Sequence, residues 1–332
     1  MSAGARIVGE MIQHLHHPDR TTYIGKGKVQ ELREAVLAAG ANVVIVDDEL
    51  SPSQGRNLEE ALETKVVDRT GLILDIFSSR ARTKEGQLQV ELAQLNYRLT
   101  RLSGASTYLS RLGGGIGTRG PGETKLEMDR RQIRHRIATL RREIEGIRKH
   151  RQLHREKRRR DQLPMVSLVG YTNAGKSTLF RALSGEDTLV SSRLFSTLDT
   201  LIRKIKVPGR RSVLISDTVG FIRKLPHQLV SAFKATLEEV VEADLVVHVV
   251  DVSDPERIEK HQTVLSVLDE IGAADHARFT VYNKLDLLGP NDPLPMLKPN
   301  EFVVSAVTGE GLEALVEQIM LEVGHRAEAP QS

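Results

Sequence analysis

The chain has 332 residues, a formal net charge of +3 and no cysteine, which excludes disulfides and thiolate metal sites. That length exceeds one domain of about 100–200 residues, so at least two parts are expected. No apolar run approaches the roughly 18 residues a membrane helix needs, and no signal peptide is evident, so a cytoplasmic protein without a membrane span is expected.

In chain order, His14, His16 and His17 come first; with no second ligand cluster they read as an exposed polar loop. Apolar runs at 43–46 and 65–67 read as buried strands, with helices near 29–39 and 53–63, which together make a small α/β lobe. Gly25-Lys26-Gly27-Lys28 lacks phosphate-loop spacing and reads as a turn into a helix. Leu88, Leu92, Leu95, Leu99 and Leu102 recur at steps of four and three, as do Ile133, Ile137, Leu140, Ile144 and Ile147. Two helices packed antiparallel along these stripes are expected, with arginines on the outer faces. The joining segment, Gly113-Gly114-Gly115-Ile116-Gly117-Thr118-Arg119-Gly120-Pro121-Gly122, is too rich in glycine to pack alone. It suits close approach to a rigid polyanionic surface, with Arg111 and Arg119 as anchors.

Residues 125–160 carry 15 basic and 5 acidic side chains, an excess that the small net charge of the whole chain conceals. Arg130, Arg131, Arg134, Arg136, Arg141, Arg142, Arg148 and Arg151 lie along this stretch, and such density favours a nucleic-acid backbone.

Gly170-Tyr-Thr-Asn-Ala-Gly-Lys-Ser177 fits G-x-x-x-x-G-K-[ST], follows the apolar strand 165–169 and precedes a helix that opens at Ser177. Backbone amides of such a loop face the α- and β-phosphates, Lys176 bridges the β- and γ-phosphates, and the Ser177 hydroxyl holds Mg²⁺. Gly170, Asn173, Ala174, Gly175 and Thr178 complete the predicted cradle. Asp217-Thr218-Val219-Gly220 closes the strand 212–215, placing a carboxylate at the Mg²⁺ shell through water and a glycine amide at the γ-phosphate. Asn283-Lys284-Leu285-Asp286 follows the strand 279–282, where Asp286 can accept from guanine N1-H and its exocyclic amine. Each such charge-assisted bond is worth about 1.5–3 kcal/mol, and adenine offers no matching donor pair. Ser305 and Ala306 end a further strand and read as the last base-side loop.

Switch I falls between these motifs; Phe195 and Thr197 are its candidates, Thr197 as a metal ligand, with Thr188, Ser191, Ser192, Ser196 and Thr200 as alternatives. Phe221 occupies the place where many GTPases carry a water-orienting glutamine, so no side-chain base is visible and slow hydrolysis by the isolated protein is expected. A partner or a bound ion is expected to complete the site. Asn173 is a candidate K⁺ ligand or a residue that only shapes the loop.

The glycine signature 113–122 with Glu123-Thr124-Lys125-Leu126-Glu127 and Asp129-Arg130-Arg131, together with Gly25-Lys26-Gly27-Lys28 and residues 89–95, resembles the HflX family of translational GTPases over nearly the whole chain. The resemblance implies an N-terminal α/β lobe (1–82), a long antiparallel helical hairpin (83–160), a Ras-like P-loop GTPase domain (161–326) and a tail (327–332). It implies a cytoplasmic, stress-response protein, expected to be a monomer, that binds GTP and GDP with Mg²⁺ and engages the large ribosomal subunit and its rRNA. Family members in the GTP state separate stalled or idle 70S ribosomes and leave on hydrolysis. Carried onto this sequence, Ser177 and Thr197 become the Mg²⁺ ligands, Lys176 and Gly220 the γ-phosphate contacts, and Asn283 with Asp286 the guanine readers. Two departures are noted: a first strand and helix ahead of Gly4-Ala5-Arg6-Ile7-Val8, and a C-terminal extension beyond Gly324, are expected to be missing. A ribosome-assembly GTPase, and an RNA-binding or chaperone module with incidental turnover, are the alternative readings.

Overall fold

The computed structural model describes residues 4–112, 121–160, 163–185, 200–205, 212–223 and 237–328. The chain divides into two units, residues 1–79 with 87–144, and residues 80–86 with 145–332.

In the first unit, α1 (Lys26–Ala39), β1 (Val43–Val46), α2 (Pro52–Leu62), β2 (Lys65–Asp68) and α3 (Arg69–Arg80) form the α/β lobe. Ser51 starts α2 with a reciprocal cap, its hydroxyl accepting from the Gln54 amide at 3.2 Å while the Gln54 side chain accepts from the Ser51 amide at 3.0 Å. Because α2 is a crossover, β1 and β2 pair in parallel, Val43 opposite Lys65 and Val46 opposite Asp68. Leu50, Leu58 and Leu62 form the small core beneath them. Two long helices follow, α4 (Lys84–Leu112) and α5 (Pro121–Arg160). Of the two expected stripes, Leu88, Ile137 and Leu140 are buried and the other members are half-buried, whereas Val90 and Ala93, off the leucine stripe, are buried as well. Arg136 of α5 grips Glu91 of α4 with two bonds of 2.7 and 2.8 Å.

Asp68 is the hub that ties α4 to the lobe. It is 1% exposed and accepts from the Tyr97 hydroxyl at 2.6 Å, the Gly71 amide at 2.8 Å, the Leu50 amide at 3.2 Å and Arg101 at 2.5 Å. Desolvation and this carboxylate push the Tyr97 phenol well above its usual range, so it stays a donor.

The second unit is a six-stranded sheet built from β3 (Met165–Gly170), β4 (Leu201–Ile205), β5 (Val213–Asp217), β6 (Leu245–Asp251), β7 (Arg278–Asn283) and β8 (Glu301–Val303). Its order is β4-β5-β3-β6-β7-β8, with only β4 antiparallel. The helices are α6 (Lys176–Ser184), α7 (residues 237–241), α8 (Arg257–Glu270) and α9 (Leu312–Glu328). β3, β5 and β6 read as nearly continuous Val, Ile and Leu because parallel strands are covered on both faces. Leu168, Leu179, Val247, Val281 and Leu315 sit at the centre of that core. After β3 the chain builds β4 and β5 on one side of it and then crosses to β6 on the other, and this reversal opens a crevice at the carboxyl ends of the strands.

Candidate nucleotide site

The loop between β3 and α6 lies at that crevice. Gly170, Asn173 and Gly175 have φ of 155°, 65° and 93°, so the backbone curls through the left-handed region twice before α6 begins at Lys176. A Cβ on Gly175 would lie closer than 3 Å to the Asn283 amide nitrogen, so the close approach itself demands glycine. Lys176 is buried and its ammonium donates to the carbonyl oxygens of Gly170 and Tyr171, both at 3.1 Å. Burial lowers its pKa to about 8, and the Asp217 charge acts in the opposite direction.

The Ser177 hydroxyl donates to Asp217 at 2.7 Å, and Asp217, at the end of β5, is wholly buried. Two hard oxygen donors at the mouth of a phosphate loop fit Mg²⁺. Three residues on, Gly220 faces the same loop, and a Cβ there would stand 2.8 Å from Thr172 Cα and 3.0 Å from the Lys176 ammonium. Phe221 has no outlook onto this space. It is 1% exposed, its amide donates to Gly170 at 3.1 Å and its carbonyl accepts from Thr172 at 2.7 Å. The backbone of the β5 exit is thereby stitched to the phosphate loop, and the ring serves the core.

On the base side, Asn283 ends β7 and bridges two loops. It donates to the Ala174 carbonyl at 3.1 Å and accepts from the Ala306 amide at 3.0 Å. Lys284, at φ 69°, pairs with Asp251 at 2.6 Å. The Ser305 hydroxyl donates to Asp286, and its oxygen accepts the Thr308 amide at 3.1 Å and the Val307 amide at 3.3 Å, which orients the carboxylate.

The predicted residues Gly170, Asn173, Ala174, Gly175, Lys176, Ser177, Thr178, Asp217, Gly220, Asn283, Lys284, Asp286, Ser305 and Ala306 therefore gather at the carboxyl ends of β3, β5, β7 and β8. Phe195, Thr197, Arg119 and the Arg111 side chain lie outside the described residues. Asp251 was not anticipated; an aspartate ending a buried valine strand was the available signal. Also unanticipated is a cavity of about 170 Å³ beside the loop, bordered by Tyr171, His248, Asp254, Lys260 and His261. His248 is buried there, stacked on His261 at 4.6 Å, and burial holds it neutral.

On α5 the arginines separate into two sets. Arg131, Arg134, Arg141 and Arg142 are exposed and pair with no carboxylate among the described residues. Arg130 is largely covered, 3.9 Å from Glu127, whereas Arg136, Arg148 and Arg151 are held by carboxylates of this chain.

A mostly parallel sheet with a phosphate-cradling loop, a buried lysine, a serine–aspartate pair and a base-side Asn-Lys-x-Asp loop defines a P-loop GTPase, an enzyme that hydrolyses GTP to GDP and phosphate. Residues 165–284 match the family described as "50S ribosome-binding GTPase", 1–78 match "GTP-binding GTPase N-terminal", and 80–158 match "GTP-binding GTPase Middle Region". The chain belongs to the HflX family. It is 54% identical over 323 residues to GTPase HflX of Caldanaerobacter subterraneus subsp. tengcongensis, covering 97% of this chain and 75% of that protein. To GTPase HflX of Escherichia coli (strain K12) it is 47% identical over 330 residues, covering 97% and 78% respectively. Among solved structures, it is similar to that of SsGBP in complex with GDP, at a TM-score of 0.52 and 26% identity, covering 94% of this chain and 89% of that one.

Proposed function

We propose that this GTPase binds the large ribosomal subunit through rRNA contacts of its helical hairpin, and that its GTP form splits stalled or idle 70S ribosomes. The observation that carries the reading is the exposed stripe Arg131, Arg134, Arg141 and Arg142, whose charge is not neutralised by a carboxylate among the described residues. A phosphate backbone is the partner such a stripe fits. The "50S ribosome-binding GTPase" description of the family matched by residues 165–284 supports the same partner.

In this reading residues 1–82 are the lobe, 83–160 the hairpin and 161–326 the catalytic domain. Lys176 turns from the loop carbonyls to the β- and γ-phosphates, and the added negative charge restores its full protonation. Ser177 and Thr197, with Asp217 acting through a water, would hold Mg²⁺, which would supply positive charge to the phosphates. Gly220 admits the γ-phosphate because nothing larger fits beside Lys176. Asp286, oriented by Ser305, reads guanine, while Asn283 keeps the phosphate and base loops in register. Phe221 positions no water, so turnover in the isolated protein is slow and engagement of the subunit completes the site; Asn173, exposed at the loop tip, would be the residue to hold a K⁺ if the reaction uses one, and otherwise shapes the loop.

The test is sedimentation of 70S ribosomes with the protein and a non-hydrolysable GTP analogue, beside Lys176→Ala. Conversion to free subunits by the wild type alone is expected. Binding without splitting moves the assignment to subunit assembly, and splitting by Lys176→Ala removes nucleotide from the mechanism.

A further inference from the structure

Arg148 and Arg151 belong by composition to the basic stripe, yet both point at a carboxylate of their own chain. Glu238, on α7, accepts from Arg148 on one oxygen, with the guanidinium Nε at 3.1 Å, and from Arg151 on the other at 3.2 Å. Arg151 also reaches Glu85, in the first turn of α4, at 3.1 Å. The Arg151, Glu238 and Glu85 side chains are only 21%, 19% and 18% exposed, so this chain of charges is partly shielded from solvent.

Glu238 sits on a segment that is itself tied to the phosphate loop. Leu237 and Val240 anchor α7 in the core, and the Val241 carbonyl bonds His276 at 2.7 Å. Just beyond, the Asp244 carboxylate accepts from the Met165 amide at 2.7 Å, so the end of α7 is joined to the start of the strand that carries the loop. α7 is thus joined on one side to the arginines of α5 and, through Asp244 and Met165, to the strand that leads into the phosphate loop. Arg148 lies six residues beyond Arg142, about 9 Å along one continuous helix.

We infer that the Arg148–Glu238–Arg151–Glu85 ion chain is a positioning element that couples what happens on the outer arginines of α5 to hydrolysis at the phosphate loop. The inference rests on the reading that the hairpin engages the large subunit, and it adds the regulatory connection. Coupling of this kind is reciprocal: occupation of the helix biases the phosphate loop through α7 and β3, and the nucleotide biases the base of the hairpin.

The experiment compares Glu238→Gln, Arg148→Ala with Arg151→Ala, and all three together, in the full chain, with thermal melts as folding controls. GTP turnover alone and GDP affinity are expected within about twofold of wild type. Turnover stimulated by purified large subunits is expected to fall about tenfold, within the usual range of coupling between sites, while subunit affinity measured by co-sedimentation changes less than about threefold. The combined variant should be no worse than either part, because each opens the same chain. Full stimulation in Glu238→Gln, or additive losses, would overturn the inference. If subunits fail to stimulate the wild type, the ribosomal reading falls, and hydrogen exchange then decides the coupling without a partner. Exchange across 84–90 and 145–152 should differ between the GDP and GTP-analogue states in wild type and not in Glu238→Gln; an equal response in both proteins refutes it. Should Glu238→Gln fail to fold, the Arg148→Ala and Arg151→Ala pair gives the same readouts.

Discussion

Gly175→Ala is the substitution whose effect the structure specifies most completely. The residue sits at φ 93°, where a side chain costs about 1–2 kcal/mol. Its new Cβ would also collide with the Asn283 amide, which cannot retreat without releasing its bonds to the Ala174 carbonyl and from the Ala306 amide. Asn283 is 2% exposed, and leaving a buried polar group unmatched costs about 1–3 kcal/mol. Strain and broken bonds together come to about 2–5 kcal/mol, of which the part borne by the assembled loop emerges as weaker nucleotide binding. A loss of about two orders of magnitude in affinity for fluorescently labelled GDP is expected, at about 1.4 kcal/mol per factor of ten. Gly185→Ala is the internal control. Its φ is 71°, but a Cβ there meets nothing within 4 Å, so it should lower the melting temperature while leaving GDP affinity within about threefold. GDP affinity in Gly175→Ala equal to that of the control would refute the idea that Asn283 staples the phosphate loop to the base loop.

Protonation of Lys176 should be visible in binding. Its pKa in the free protein is lowered from 10.5 to about 8, so the folded state binds fewer protons than the unfolded chain between these values, and nucleotide-free stability gains with rising pH across that window. Nucleotide binding reverses the shift, so GDP affinity should decline above about pH 8 with proton uptake measurable by titration calorimetry in two buffers; a flat profile in wild type matching Lys176→Arg would contradict this. Ser305→Ala should reduce the preference for GTP over ATP about tenfold, read by competition against labelled GDP, because Asp286 loses its orienting hydroxyl. Asp68→Ala should cost about 3–5 kcal/mol in urea unfolding, since it strands the Arg101 cation and removes the acceptor of Tyr97 and of two backbone amides. Replacing Arg131 and Arg134 by alanine should weaken large-subunit binding and flatten its dependence on salt by roughly 0.7–0.9 for each phosphate no longer neutralised, whereas Arg136→Ala, whose guanidinium is held by Glu91, should leave that slope nearly unchanged.

The phosphate loop, the Asp217–Gly220 turn and the Asn-Lys-x-Asp loop were legible in the sequence because each is a contiguous string set at the end of a buried apolar strand. Parallel strands present their carboxyl ends together, so local order alone was enough to bring those strings to one crevice. The helical hairpin was legible from its spacing, though the burial of Val90 and Ala93 shows that α4 is also covered on a face the leucine stripe did not mark. What the sequence did not disclose depends on partners far along the chain. Asn283 reaches Ala174 across 109 residues and Lys284 meets Asp251 across 33, and no local pattern encodes either distance. The arginines of α5 make the same point more sharply. Helical periodicity determines which of them share a face, but the carboxylates that neutralise Arg136 and Arg148 come from 45 and 90 residues away. Which charges remain available for a phosphate backbone, and which hold the molecule together, was therefore decided only when the chain folded and placed Glu91 and Glu238 against the helix.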